Sequence, residues 1–136
     1  MNDKKECRIF LVDDDPFCQA MYEQQLNNLG FTNIVVYASG KELLQHLNEN
    51  PNLVVLDYNL EDYKGIELLQ KIKLFNSDIT VIIVSGQVDI FTEKLLIEKG
   101  ALDYIHKGDN EMEKLSDVIT NWCTAQRKLR QKQLHQ

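Results

Sequence analysis

Five short apolar runs alternate with five helical patterns along this chain. The runs predict strands over residues 8–12, 33–37, 53–57, 79–84 and 103–105. The first, third and fourth are built on unbroken apolar stretches, such as Ile9-Phe10-Leu11-Val12 and Leu53-Val54-Val55-Leu56, as strands covered on both faces should be. Helices are predicted over residues 16–29, 40–48, 65–75 and 88–99, and from 111 onward. Ile66, Leu69 and Ile72 mark one apolar face at helical spacing, and Leu43, Leu44 and Leu47 another. Gly30 and Gly100 stand where a left-handed cap residue ends a helix, and Asp15-Pro16 supplies an N-cap followed by proline in the first turn.

Strict alternation with short connections predicts an α/β fold: a five-stranded, parallel, doubly wound sheet with helices on both faces and right-handed crossovers. Such sheets carry their functional groups at the C-terminal ends of the strands, near the point where strand order reverses. The last helical pattern runs about 25 residues, roughly twice the usual length. Leu115, Ile119, Trp122, Gln126 and Leu129 fall at spacings of four and three. That pattern packs the first half on the sheet and leaves the rest either as a coiled-coil-like extension or as a solvent-exposed end. No internal repeat or linker is visible. The expected organisation is one compact unit over residues 1–123, with 124–136 extending its last helix.

Composition narrows the function classes. The 136 residues are 43% hydrophobic and 26% charged, ordinary for one globular domain, and no apolar run nears the roughly 18 residues of a membrane span. The N-terminal stretch does not read as a secretory signal, because three aspartates interrupt its short apolar run. Cys7, Cys18 and Cys123 form neither a CxxC pair nor a disulfide framework, so a reducing, cytoplasmic setting is expected. The net charge is −6, but Arg127, Lys128, Arg130 and Lys132 stand in the tail with no acid; residues 1–126 hold the other 11 basic groups against all 21 acidic ones, a net of −10. A body that acidic argues against direct nucleic-acid binding. The basic tail suits the negative end of a helix. His46, His106 and His135 share no ligand spacing and read as solvated side chains.

The strand ends carry the chemistry. Strand one empties into Asp13-Asp14-Asp15, strand three ends on Asp57, strand four on Ser85-Gly86, and strand five leads to Lys107. Carboxylates converging from two strands form a site for a hard divalent cation, on which phosphoryl chemistry can be built. Asp15 is the member expected to cap the following helix.

These residues, in this order and on these elements, resemble the receiver domain of two-component response regulators, over roughly residues 7–123. The resemblance implies the flavodoxin-like strand order 2-1-3-4-5. It also implies an Mg2+ site made by Asp13, Asp14, Asp57 and the backbone carbonyl of Asn59. Asp57 would be the phosphoacceptor, attacking a phosphoryl group carried on a phosphohistidine. Lys107, Ser85 and Gly86 would bind that group. Ser85 and Tyr104 would act as the switch pair, with output through the face of the fourth helix, fifth strand and fifth helix. Asn59 and Gln87 would tune dephosphorylation. The implied partners are a sensor histidine kinase or histidine phosphotransfer protein, a possible homodimer or output partner on that face, no membrane, and nucleic acid only through an output domain outside this chain. The Met1 start and brief lead suggest a native beginning. The chain would be a switch, not a turnover enzyme. Two departures stand out. Gly108 follows Lys107 where receivers carry proline across a cis bond; a non-proline cis bond costs about 2.5–4 kcal/mol, so this one is expected trans, beside a mobile loop. Glu61 also replaces a common proline, while Gly65 keeps its place.

Rival readings are fewer. A flavin-binding protein of this architecture needs a hydroxyl- and glycine-rich loop after strand one, the opposite of Asp13-Asp14-Asp15-Pro16. An Mg2+-dependent aspartyl-phosphate phosphatase wants an acid where Asn59 stands. A pseudo-receiver, binding partners without phosphate, would not need the intact set of five groups.

Overall fold

The computed structural model describes residues 3–86, 89–108 and 110–134. Its elements are α1 (Asp3–Glu6), β1 (Ile9–Val12), α2 (Pro16–Asn28), β2 (Ile34–Tyr37), α3 (Gly40–Gln45), a short 3-10 turn (Leu47–Glu49), β3 (Leu53–Asp57), α4 (Gly65–Phe75), β4 (Thr80–Ser85), α5 (Ile90–Glu98), β5 (Asp103–His106) and α6 (Glu111–Leu134). The fourth and fifth helical patterns of the sequence are therefore α5 and α6. All five strands are parallel, in the order β2-β1-β3-β4-β5.

Two cores form because successive strand residues face opposite ways. Phe10, Val12, Val54, Leu56, Val81 and Ile83 pack with Leu43, Leu68, Leu69, Ile72 and Leu96 of α3, α4 and α5. Ile9, Leu11, Leu53, Val55, Ile82 and Val84 pack with Tyr22, Leu26, Leu115 and Ile119 of α2 and α6. This two-sided burial is why the central runs are apolar at every position.

Register sets up the site. Val12 pairs with Leu56, so the next residues along, Asp13 and Asp57, emerge side by side at the reversal of strand order between β1 and β3. Asp57 pairs with Val84, and Ser85 with His106, which brings the ends of β4 and β5 level with the acids.

Helix ends largely follow the expected signals. Asp15 caps α2, its Oδ1 accepting the Phe17 N–H at 2.9 Å. Gly30 and Gly100 take φ of +103° and +115° after α2 and α5. The helix expected over 40–48 breaks instead: α3 ends at Gln45, and the 3-10 turn closes on Asn50 at φ +53°. Asn50 must lead into Pro51, which disfavours a helical residue before it. The helix expected to begin at 88 starts at Ile90, capped by Asp89, whose Oδ1 accepts the Thr92 N–H at 2.8 Å. The four-residue α1 is too short to show periodicity; the Lys4 ammonium pins it, donating to the Leu29 carbonyl at 2.6 Å over the Phe31 ring.

The long helix divides where its burial pattern does. Leu115 and Ile119 are buried, and Trp122 is half-buried with its Nε1–H donated to Thr80 Oγ1 at 3.1 Å. Leu129 and Leu134 are exposed.

Candidate functional site

Asp13 is only 1% exposed, a carboxylate held at the end of a buried strand. Its Oδ1 accepts the Asp15 N–H at 2.9 Å, and its main-chain carbonyl accepts Gln19 Nε2–H at 2.6 Å, so the turn into α2 fixes its direction. Asp57 is 6% exposed. Its Oδ1 accepts the Asn59 N–H at 3.3 Å. Asp14 is exposed, yet ligand oxygens of Asp13, Asp14 and Asp57 all lie within 4.8 Å of one another.

Lys107 closes the pocket from β5. Its Nζ donates to Asp13 Oδ2 at 3.4 Å and stands 3.5 Å from Asp57 Oδ1. Burial, the largest single influence on the Lys107 ammonium, works to lower its pKa, but Asp57 and Asp13 together leave it raised. Burial also dominates at Asp13, raising its pKa; Asp57 adds to the rise, while the Asp15 N–H and Lys107 work against it. Two carboxylates and a third at the rim thus share one ammonium. That is an electrostatic deficit, and a hard cation with oxygen ligands would relieve it.

Ser85 is fully buried at the end of β4, and its carbonyl accepts the Lys107 N–H at 2.8 Å. Gly86 is exposed, and a side chain there would meet nothing within 4 Å, so the space beside Ser85 is open. Tyr104 points inward and is 5% exposed. Burial raises its pKa while the nearby Ser85 hydroxyl lowers it, yet the Tyr104 hydroxyl has no well-formed hydrogen bond among the described residues. The expected switch pair is thus brought together. Asn59 is exposed and bridges to Lys64. Gln87 lies outside the described residues.

The Lys107–Gly108 bond is trans, as expected without proline; no cis peptide occurs among the described residues. Gly65 keeps its place for a packing reason: a Cβ there would stand 2.5 Å from the Tyr58 ring and 3.1 Å from Tyr58 Cα. Glu61 is exposed.

Several contacts have no local signature in the sequence. Cys18 Sγ stands 3.9 Å from Lys107 Nζ, and burial pushes its thiol up to about 11. Asp62 reaches across 22 residues, its two oxygens accepting the Gly40 and Lys41 N–H groups at 3.0 and 2.9 Å. Glu111 accepts from Tyr22 and from the Gly108 N–H. One histidine corrects the expectation of solvated side chains. His46 is half-buried, stacks on Tyr37 at 4.9 Å and has its Nδ1 2.8 Å from the Glu42 carbonyl. His106 is exposed but lies edge-on to Tyr104 and 3.6 Å from Glu93, so it belongs to the α5–β5 face. His135 lies outside the described residues. A separate cavity of about 330 Å3, lined by Lys4, Phe31, Trp122 and Arg130 among others, sits at the opposite ends of the strands, so concavity alone does not lead to the carboxylates.

Known proteins share this fold. Residues 9–120 match the family described as the response regulator receiver domain, and the chain belongs to that family. It is 33% identical over 106 residues to the probable C4-dicarboxylate response regulator DctR of Bacillus subtilis, covering 76% of this chain and 47% of that protein. The Priestia megaterium DctR is 30% identical, covering 96% of this chain and 58% of its own length. The chain thus spans about half the length of the curated relatives it matches. A CheY-like receiver domain from Methanospirillum hungatei superposes with a TM-score of 0.80 at 30% identity, covering 89% of this chain and 96% of that one. A receiver domain from Clostridium thermocellum gives 0.80 at 25% identity, covering 90% and 98%. The fold is that of these neighbours, with a long C-terminal helix. Aspartate phosphorylation and Mg2+ binding at an acidic cluster are general properties of this family, as are interactions with histidine kinases and output domains. No helix among the described residues is long and apolar enough to cross a membrane.

Proposed function

We propose that this chain is a phosphorylatable switch in which Asp57 accepts a phosphoryl group from a phosphohistidine. The observation that carries the reading is the convergence of Asp13, Asp14 and Asp57 with the Lys107 ammonium, all from strand ends. The donor set is three hard oxygens with too little positive charge, and it fits Mg2+, to be held by Asp13, Asp14, Asp57 and the Asn59 carbonyl. When bound, that ion supplies charge neutralisation for the transferred group and for the attacking carboxylate.

The chain's own residues do the rest. One Asp57 oxygen attacks phosphorus; the N–P bond to the donor imidazole breaks as an acyl phosphate O–P bond forms, and the imidazole leaves with the electron pair and takes a proton. Positioning and charge neutralisation carry most of such a transfer. Lys107, already 3.5 Å from Asp57, holds one phosphoryl oxygen. The Ser85 hydroxyl donates to another, and the open space beside Gly86 leaves room for the group. Drawing Ser85 toward the phosphoryl group changes what the Tyr104 hydroxyl faces, and α5, β5 and α6 shift in population. Coupling of this kind is typically about 1–3 kcal/mol. By resemblance to the family, Asn59 and Gln87, which follow Asp57 and Ser85 by two residues in the sequence, tune the hydrolysis rate of the phosphoryl group.

In this reading the functional unit is residues 1–123, the end of α6 beyond Cys123 leads toward a partner or output domain, and the chain works in the cytoplasm without turning over an external substrate. The test is incubation with a small phosphodonor and Mg2+, read by intact mass. Wild type gains one phosphoryl group, while Asp57→Asn and chelated wild type gain none. Equal labelling of Asp57→Asn would remove Asp57 from the role.

A further inference from the structure

The segment that delivers Lys107 to the pocket lacks a stiffening proline. Upstream it is tied to the sheet, because the Lys107 N–H donates to the Ser85 carbonyl at 2.8 Å. Immediately downstream the chain turns through Gly108 at φ +128° and Asn110 at φ +65°. Left-handed backbone of this kind is adopted readily by glycine, which also adds freedom instead of removing it. Something else must hold the turn.

Glu111, the first residue of α6, reaches both ways. Its Oε1 accepts the Gly108 N–H at 3.3 Å, and its Oε2 accepts the Tyr22 hydroxyl at 2.5 Å. Tyr22 is 2% exposed on α2, the helix capped by Asp15 next to the acids. Hydrogen bonds to a carboxylate are roughly twice as strong as neutral ones, and a buried hydroxyl is costly to strand, so this link is firm. A second tie between the same helices, Gln25 Nε2–H to Ser116 Oγ at 2.5 Å, is made by neither Glu111 nor Gly108.

We propose that Tyr22 and Glu111 are positioning residues for phosphoryl transfer: Tyr22 fixes the Glu111 carboxylate, which holds the Gly108 amide and so keeps the Lys107 ammonium facing Asp57. This rests on the reading of Lys107 as a phosphoryl ligand. It makes α2 a support for the lysine as well as the element following the acids.

The test compares Tyr22→Phe, Glu111→Gln, the double variant and the control Ser116→Ala. Labelling by a small phosphodonor at saturating Mg2+ should slow roughly five- to tenfold in each clamp variant, up to about 1.4 kcal/mol on the barrier. The double variant should be no slower than the singles, because both remove one link. Mg2+ affinity should not change, since no carboxylate of the acid cluster is touched. Ser116→Ala should lower the thermal midpoint without slowing labelling. Exchange of the Gly108 amide, read by NMR, should quicken in the clamp variants alone, independently of phosphorylation. Normal labelling and normal Gly108 exchange in folded Tyr22→Phe and Glu111→Gln would overturn the positioning role, as would equal slowing in Ser116→Ala. A wild type that takes up no phosphoryl group would overturn the phosphoryl reading instead, and with it any role in transfer.

Discussion

Neutralising Asp13 should stabilise the protein in the absence of divalent cations while removing its response to them. With ligand oxygens within 4.8 Å, each carboxylate repulsion at Asp13 is worth at least about 3.5 kcal/mol at an effective dielectric near 20. The Lys107 attraction at 3.4 Å is worth about 5 kcal/mol on the same scale. Two repulsions therefore exceed one attraction, and water around the exposed Asp14 trims the excess to about 1 kcal/mol. The raised pKa of Asp13, driven first by burial and then by Asp57, has the same sign. In Asp13→Asn the oxygen can still accept the Asp15 N–H, and Lys107 keeps Asp57. In EDTA near neutral pH the variant should melt roughly 3–5 °C higher, the shift that about 1 kcal/mol produces in a chain of this size. The advantage has a defined pH window. Because the folded pKa is raised, ionised Asp13 begins to cost stability as pH rises above about 3.9, and the cost is complete above the folded value. The two proteins should therefore converge in acid. Magnesium at about a hundred times its Kd should stabilise wild type by about 2.7 kcal/mol and the variant far less. Calorimetry at several pH values measures all of this. A variant clearly less stable than wild type in EDTA would refute the reasoning.

Other outcomes follow from single contacts. Lys107→Ala should slow phosphodonor labelling at least about tenfold, some 1.4 kcal/mol, without weakening Mg2+ binding; the raised Lys107 pKa means its stabilising contribution is complete below about pH 10.4 and is lost as pH rises through the folded value. Asp62→Ala should cost about 0.5–1 kcal/mol in denaturant unfolding, the low end of a cap's range because the side chain is exposed. Burial works to raise the Asp62 pKa, but the backbone N–H groups of Lys41, Gly40, Asp62 and Tyr63 together lower it, so its contribution is present above about pH 4 and fades as pH falls through the folded value. Gly65→Ala should destabilise by about 1–3 kcal/mol, because the new methyl meets the Tyr58 backbone, and should slow labelling by displacing the residue next to Asp57.

The parts of this protein legible in its sequence are those where one physical demand acts on neighbouring residues. Burial on both faces makes the central runs of β1, β3 and β4 apolar, and the abrupt change to Asp13 or at Asp57 marks where the first two leave the core. The caps at Asp15, Gly30 and Gly100 are equally local. Contacts between distant segments left no such trace. Tyr22 reads as a helix core residue, and only the packing of α2 on α6 brings it to Glu111, 89 residues away. Asp62 reads as a loop acid until the fold sets it on the start of α3. The helical pattern over 40–48 breaks ahead of a left-handed Asn50 and of Pro51, which disfavours a helical residue before it, despite the Leu43, Leu44, Leu47 periodicity. The half-buried His46 owes its place to Tyr37 on a neighbouring strand.

The most direct measurement is the location of the acquired phosphoryl group. Labelled protein reduced with borohydride, which converts an acyl-phosphorylated aspartate to homoserine, should yield on peptide mapping a modified residue at position 57 and unmodified aspartates at 13 and 14. Modification at Asp13 or Asp14 in place of Asp57, or on a hydroxyl or histidine elsewhere, would contradict the account.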